Sequence, residues 1–216
     1  MSKTALIIGA TGLTGEQCLM ELLASPHYNK IIVFTRKQLQ TTNNQIHNIV
    51  TDFENLDLIR EQIKADHIYC AMGTTIGKAG SQKAFRKIDY EIPLQVAKIA
   101  KQNGAEKFIL VSSMGADALS SIFYSKVKGQ LEEALAKLNF KSLLIFRPSI
   151  LLGNRKEKRT GEAIGRFVAE NLSFIFSGPL KKYKGTPVDV LAKKMVKAAL
   201  EENSGVHIIE NEDILK

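Results

Sequence analysis

A doubly wound parallel α/β sheet is the fold this sequence predicts. Short apolar runs alternate with helix-type segments from end to end, and a glycine triplet falls between the first run and the first helix. The runs at residues 5–8, 31–34, 67–70, 108–111 and 143–146 are nearly continuous in hydrophobicity, as strands covered on both faces are. A further extended run occupies 46–50, and a last one 206–209. Between them Leu19, Leu22 and Leu23 recur at helical spacing. So do Ile92, Val96, Ile99 and Ala100, and then Leu131, Leu135 and Leu138. A final helix is expected from Val188 to Leu200, with Pro187 at its start.

The 216 residues are enough for one large domain with a sizeable core, and the 44% apolar composition is ordinary for a globular chain. No repeat or linker divides it, so one domain is expected over 1–216. Residues of about 153–186, where Gly, Pro and charges mix with aromatics, are expected to form a small substrate-side region. No apolar stretch reaches the roughly 18 residues a spanning helix needs, so no membrane span is expected. The chain runs from Met1 straight into an apolar strand without a signal-type segment, which points to the cytoplasm. Cys18 and Cys70 lack CxxC or metal-ligand spacing and read as reduced core thiols, with no metal site expected.

The net charge of +8 is spread over many lysines. Its densest runs are Arg155-Lys156-Glu157-Lys158-Arg159 and Lys181-Lys182-Tyr183-Lys184, and the chain has no recognisable nucleic-acid motif and no extended basic stripe interleaved with aromatics. A solvated basic surface is therefore expected, with no nucleic-acid partner.

Gly9, Gly12 and Gly15 follow the first strand directly and open an amphipathic helix, a G-x-x-G-x-x-G loop in strand-loop-helix context. Glycines let the backbone approach a pyrophosphate, the helix N-terminus favours the anion, and Thr11 and Thr14 add hydroxyl donors beside Leu13. This is the loop of a Rossmann-type dinucleotide-binding fold. The second strand ends in Phe34-Thr35-Arg36-Lys37, with no carboxylate to meet a ribose 2′-hydroxyl. Two cations and a hydroxyl stand there instead, suited to a 2′-phosphate, so NADP(H) is the expected cofactor. Asp52 and Phe53, after the 46–50 run, would bring a carboxylate and a ring towards an adenine. Asp52 is equally an ordinary helix cap.

Tyr124 and Lys128 are four apart, which on a helix directs both at one site. A phenol with a reference pKa of about 10 becomes an acid/base near neutrality only when its anion is stabilised, and an ammonium beside it does that. Ser112 and Ser113 end the strand at 108–111, on the carboxyl edge where such sheets bind ligands. One of these hydroxyls can polarise a substrate carbonyl.

Together the loop at 9–15, Val111-Ser112-Ser113, Tyr124 with Lys128, and Phe146-Arg147-Pro148-Ser149 resemble the atypical short-chain dehydrogenase/reductases over most of the chain. Gly73-Thr74-Thr75-Ile76-Gly77-Lys78-Ala79-Gly80, Ser112-Ser113-Met114-Gly115-Ala116-Asp117 and Tyr124-Ser125-Lys126-Val127-Lys128-Gly129 are similar to the Tat-interacting oxidoreductase subfamily. The resemblance implies NADPH on the glycine loop, Arg36 and Lys37 at the adenosine phosphate, and Met72, Gly73 and Thr74 beside the ribose and nicotinamide. Leu151 and Arg159 also fall at cofactor positions. It further implies Tyr124 as acid/base, Lys128 as its partner and ribose ligand, and a serine, preferably Ser113, as carbonyl polariser. Hydride exchange between NADPH and a small carbonyl substrate is the expected activity. A redox-sensing NADP(H)-binding module with a protein partner or a homo-oligomeric form, and an NAD-dependent sugar-nucleotide epimerase or dehydratase, are the alternatives.

Overall fold

The computed structural model describes residues 2–153 and 184–216. Seven strands form one sheet: β1 (Lys3–Ile8), β2 (Tyr28–Thr35), β3 (Ile46–Val50), β4 (His67–Cys70), β5 (Lys107–Val111), β6 (Ser142–Arg147) and β9 (Gly205–Glu210). Their order is β3-β2-β1-β4-β5-β6-β9, and every pairing is parallel. The order turns back on either side of β1 and β4, so their carboxyl ends form the crevice where Rossmann-type sheets take ligands. A separate short ladder joins β7 (Leu151–Leu152) to β8 (Thr186–Pro187).

Helices cover both faces because side chains on each strand alternate. Leu6 and Ile8 of β1 enter one core with Val96 and Ala100 of α4 (Ile92–Gln102) and Leu131 and Leu135 of α5 (Phe123–Ala136). Ala5 and Ile7 enter the other with Cys18 and Leu22 of α1 (Leu13–Ala24) and Leu191 and Met195 of α6 (Val188–Leu200). The described residues include three shorter helices, α2 (Ile76–Ala79), α3 (Gln82–Arg86) and α7 (Asn211–Ile214). Both cysteines are fully buried and unpaired, and burial pushes the Cys70 thiol up to about 12 and Cys18 further still. No helix among the described residues is long and apolar enough to cross a membrane.

The outer strands β3 and β9 carry exposed positions. Residues 205–208 of β9 are exposed, as are His47 and Val50 of β3, because each outer strand has a neighbour on one side only among the described residues. Residues 154–183, most of the region expected to face the substrate, lie outside the described residues.

Candidate functional site

Gly9 leaves β1 at φ +84°, a conformation L side chains rarely adopt, and accepts the Gly12 N–H at 3.0 Å. A Cβ on Gly15 would lie 2.0 Å from the same Gly9 carbonyl oxygen, so α1 can start this close to β1 only with glycine there. No side chain of the described residues caps α1 at Gly12, which leaves the first helical N–H groups for an anion. Thr14 Oγ1 is buried without a hydrogen-bond partner among the described residues, a donor that a phosphate oxygen would satisfy. Thr11 and Gly12 are exposed beside it and Leu13 is half-buried. This cradle fits a pyrophosphate.

The end of β2 corrects one expectation. Arg36 and Lys37 are exposed on the rim, but Thr35 is only 4% exposed and its hydroxyl donates to the Lys37 carbonyl at 2.7 Å. Of the three groups expected at a 2′-phosphate, the two cations stand exposed and the Thr35 hydroxyl is turned into the β2 end. Phe53 is a second correction. Its ring packs into the α4-side core at 5% exposure, on a backbone with φ 65°, instead of standing out towards an adenine. Asp52 is exposed and accepts the Glu54 N–H at 2.9 Å, the local turn its residue type favours.

Beyond β4, Met72 and Thr74 are half-buried and Gly73 exposed. The Thr74 N–H donates to Asp89 Oδ2 at 2.9 Å, and Asp89 Oδ1 lies 2.7 Å from Lys128 Nζ. The side chains of this ion pair are 0% and 5% exposed. Burial alone would lower the Lys128 pKa, but the Asp89 carboxylate, with a smaller contribution from Tyr124, holds it above the ordinary lysine value. A Cβ on Gly73 would stand 3.3 Å from Asp89 Oδ1 and 3.6 Å from Lys128 Nζ, so the loop after β4 lies directly on the pair. Asp89 sits in a π-helical turn, Lys87–Glu91, a widening of the helix that recurs at functional sites.

Tyr124, Lys128 and Glu132 follow one another at four-residue intervals on α5. The half-buried Tyr124 ring packs 5.4 Å from Phe85, centroid to centroid, and its hydroxyl bonds to no described residue. The loop after β5 is tied to the first turn of α5 by the Asp117 N–H donating to the Ser125 carbonyl at 3.1 Å. Ser112 and Ser113 then part company. Ser112 is buried and donates to Glu132 Oε1 in a short hydrogen bond. Glu132 is in turn gripped by Arg147 through Nε at 3.1 Å and Nη2 at 2.5 Å, and Arg147 Nη1 reaches Glu210 at 3.0 Å. Ser113 is half-buried and among the described residues its hydroxyl makes only a 3.3 Å bond to the Met114 carbonyl, so it is the freer of the two.

Leu151 packs against the α1-side core, and a Cβ on Gly153 would lie 3.0 Å from Leu13 Cδ1, which brings the β7 and β8 ladder up against the phosphate loop. Arg159 lies outside the described residues. Sequence reasoning missed Asp89 and Glu132. Nothing local marks Asp89 in Arg86-Lys87-Ile88-Asp89-Tyr90-Glu91, and the available signal for Glu132 was its place as a third residue on the Tyr124 and Lys128 face.

A family model described as HIM1 matches residues 26–177. The chain is 34% identical to Protein HTATIP2 of Rattus norvegicus over 99% of its length and 88% of that protein. It is 38% identical to Protein FMP52-1, mitochondrial, of Scheffersomyces stipitis over 92% of its length and 85% of that protein. Among solved structures, MoeE5 in complex with UDP-glucuronic acid and NAD matches with a TM-score of 0.70 at 17% identity, covering 95% of this chain and 75% of that one. UDP-glucose 4-epimerase of Thermotoga maritima with UDP-glucose matches with a TM-score of 0.70 at 16% identity, covering 96% and 76%. The expected cytoplasmic location is corrected by the fungal relatives, several of which are named as mitochondrial proteins. The chain is a member of the HIM1 family, of Rossmann fold and related to HTATIP2 and the FMP52 proteins.

Proposed function

We propose that this chain is an NADP(H)-dependent oxidoreductase acting on a small carbonyl or alcohol. The observation that carries the reading is the buried ion pair of Lys128 with Asp89. It lies under the loop of Met72, Gly73 and Thr74, on the helix that bears Tyr124. When bound, the nicotinamide supplies or accepts the hydride. Tyr124 donates its phenolic proton to the carbonyl oxygen, or takes it back in the reverse direction, and Ser113 hydrogen-bonds the same oxygen. Lys128 holds a cation beside the phenol and the ribose, at a position set by Asp89. The phosphate loop takes the pyrophosphate on the α1 N-terminus and Thr14, and Arg36 and Lys37 take the 2′-phosphate.

The test is loss of NADPH absorbance against a panel of aldehydes, ketones and quinones. Turnover of one member is expected. Tyr124→Phe should slow it by about 10²–10⁴-fold with NADPH affinity retained. A variant that turns over at the wild-type rate removes Tyr124 from the chemistry, and steady absorbance across the panel favours a binding module. Arg36→Ala should weaken NADP by about 1.5–3 kcal/mol, and NAD by much less. Equal affinity of the wild type for both would refute the NADP assignment.

A second reading, a sugar-nucleotide epimerase, is favoured by the solved neighbours that hold UDP-sugars or NAD. The end of β2 weighs against it, because no carboxylate stands there for an NAD ribose. Cofactor released from denatured protein separates the two readings: retained NAD supports the epimerase.

A further inference from the structure

Resting on the NADP reading, we propose that Asn48 of β3 is the positioning residue through which this chain selects a 2′-phosphate. All three hydrogen-bonding capacities of its amide used here converge on the end of β2. Nδ2 donates to the Val33 carbonyl at 2.9 Å and to Thr35 Oγ1 at 2.7 Å, and Oδ1 accepts the Leu39 N–H at 2.8 Å. Thr35 Oγ1, having accepted from Asn48, donates to the Lys37 carbonyl at 2.7 Å. The turn from Val33 to Leu39 is thus tied at four places around one side chain, and the two residues it carries outward are Arg36 and Lys37.

The amide is well suited to this task. Val33 offers a carbonyl oxygen, Thr35 a hydroxyl oxygen and Leu39 an N–H, so the residue at 48 must both donate and accept, which Asn does and an ionised Asp or Leu does not. The hydroxyl at 35 acts as a relay between Asn48 and the rim. A 2′-phosphate carries two charges at most, and holding it with flexible Arg and Lys side chains costs side-chain entropy. A backbone already set in place confines that ordering to the side chains. The position on β3 also explains why a sequence reading of the β2 end cannot find this residue: Asn48 is paired across strands with Val33 and is distant in the chain from Arg36.

The experiment compares binding of adenosine 2′,5′-bisphosphate and AMP, which differ only in the 2′-phosphate, by calorimetry on the full chain. Wild type is expected to prefer the bisphosphate. Asn48→Ala and, independently, Thr35→Val should each cut that preference by roughly tenfold while AMP affinity stays, whereas Thr35→Ser, which retains the relay hydroxyl, should keep it. Equal loss of affinity for both nucleotides would mean a merely structural role and would overturn the proposal. So would a preference that survives in Asn48→Ala and Thr35→Val, with the NADP reading left standing. If wild type shows no preference, the NADP reading itself fails and the proposal falls with it.

Discussion

Replacing Asp89 by Asn can keep an acceptor for the Thr74 N–H, and it removes the charge opposite Lys128 and leaves an amide NH2 facing the ammonium. With the two side chains 0% and 5% exposed, the ammonium is left in the protein interior. Breaking a buried pair on one side costs about 3–5 kcal/mol. An independent ceiling comes from the lysine itself, which can shed its proton instead of staying charged. At pH 7 that costs about 4.6 kcal/mol from a reference pKa near 10.4, at 1.36 kcal/mol per unit. The expected loss is therefore about 3–4.5 kcal/mol at pH 7.

The pH dependence has a definite sign. In wild type the folded Lys128 pKa lies above its unfolded value, so the stability it contributes is complete below about pH 10 and declines only above it. In Asp89→Asn the folded pKa drops below the unfolded one. The unfolded state then binds more protons, and the deficit relative to wild type shrinks as pH rises from 7 towards 9.5. Urea unfolding of wild type, Asp89→Asn, Lys128→Met and the double variant at both pH values checks this. The double variant, with no buried charge, should recover much of the loss. A deficit under about 1 kcal/mol, or one that does not change with pH, would refute the claim that the pair is buried and ionised.

Two further outcomes concern other parts of the fold. Gly15→Ala should abolish dinucleotide binding and lower Tm, because its Cβ has no room beside the Gly9 carbonyl; a binding isotherm like that of wild type would contradict the loop geometry. His67 is buried with no partner for Nε2 among the described residues, and desolvation, reinforced by Lys3 and Lys107, lowers its pKa to about 4. The unfolded state takes up the proton first, so about 3 kcal/mol of stability should be lost as pH falls from 6.5 through 4. His67→Gln should flatten that part of the profile, and an unchanged slope would assign the acid loss elsewhere.

The sheet was legible because strand burial and helix periodicity leave one-dimensional traces. Every predicted run, from 5–8 to 206–209, lies within a strand, and the helix expected at Val188–Leu200 has those ends. The phosphate loop and the pairing of Tyr124 with Lys128 on one face were legible for the same reason: both depend on spacings of a few residues. Asp89 and Glu132 were not, since one carboxylate among the charged residues of a helical stretch takes its meaning from the cation it meets. Those cations, Lys128 and Arg147, come from other elements. Phe53 misled because an aromatic after a strand reads alike whether it faces ligand or core, and the turn with φ 65° sent it inward.

The sequence by itself determined the parallel α/β architecture, the anion cradle at residues 9–15 and the absence of a carboxylate at the end of β2, since each depends on local pattern and local chemistry. Tertiary structure decided which serine stays free, what neutralises Lys128, and which side chain braces the Arg36 and Lys37 rim. Those outcomes depend on which groups the fold removes from water together. A buried charge or amide must then be satisfied by whatever partner the sheet and helices bring within about 3 Å of it.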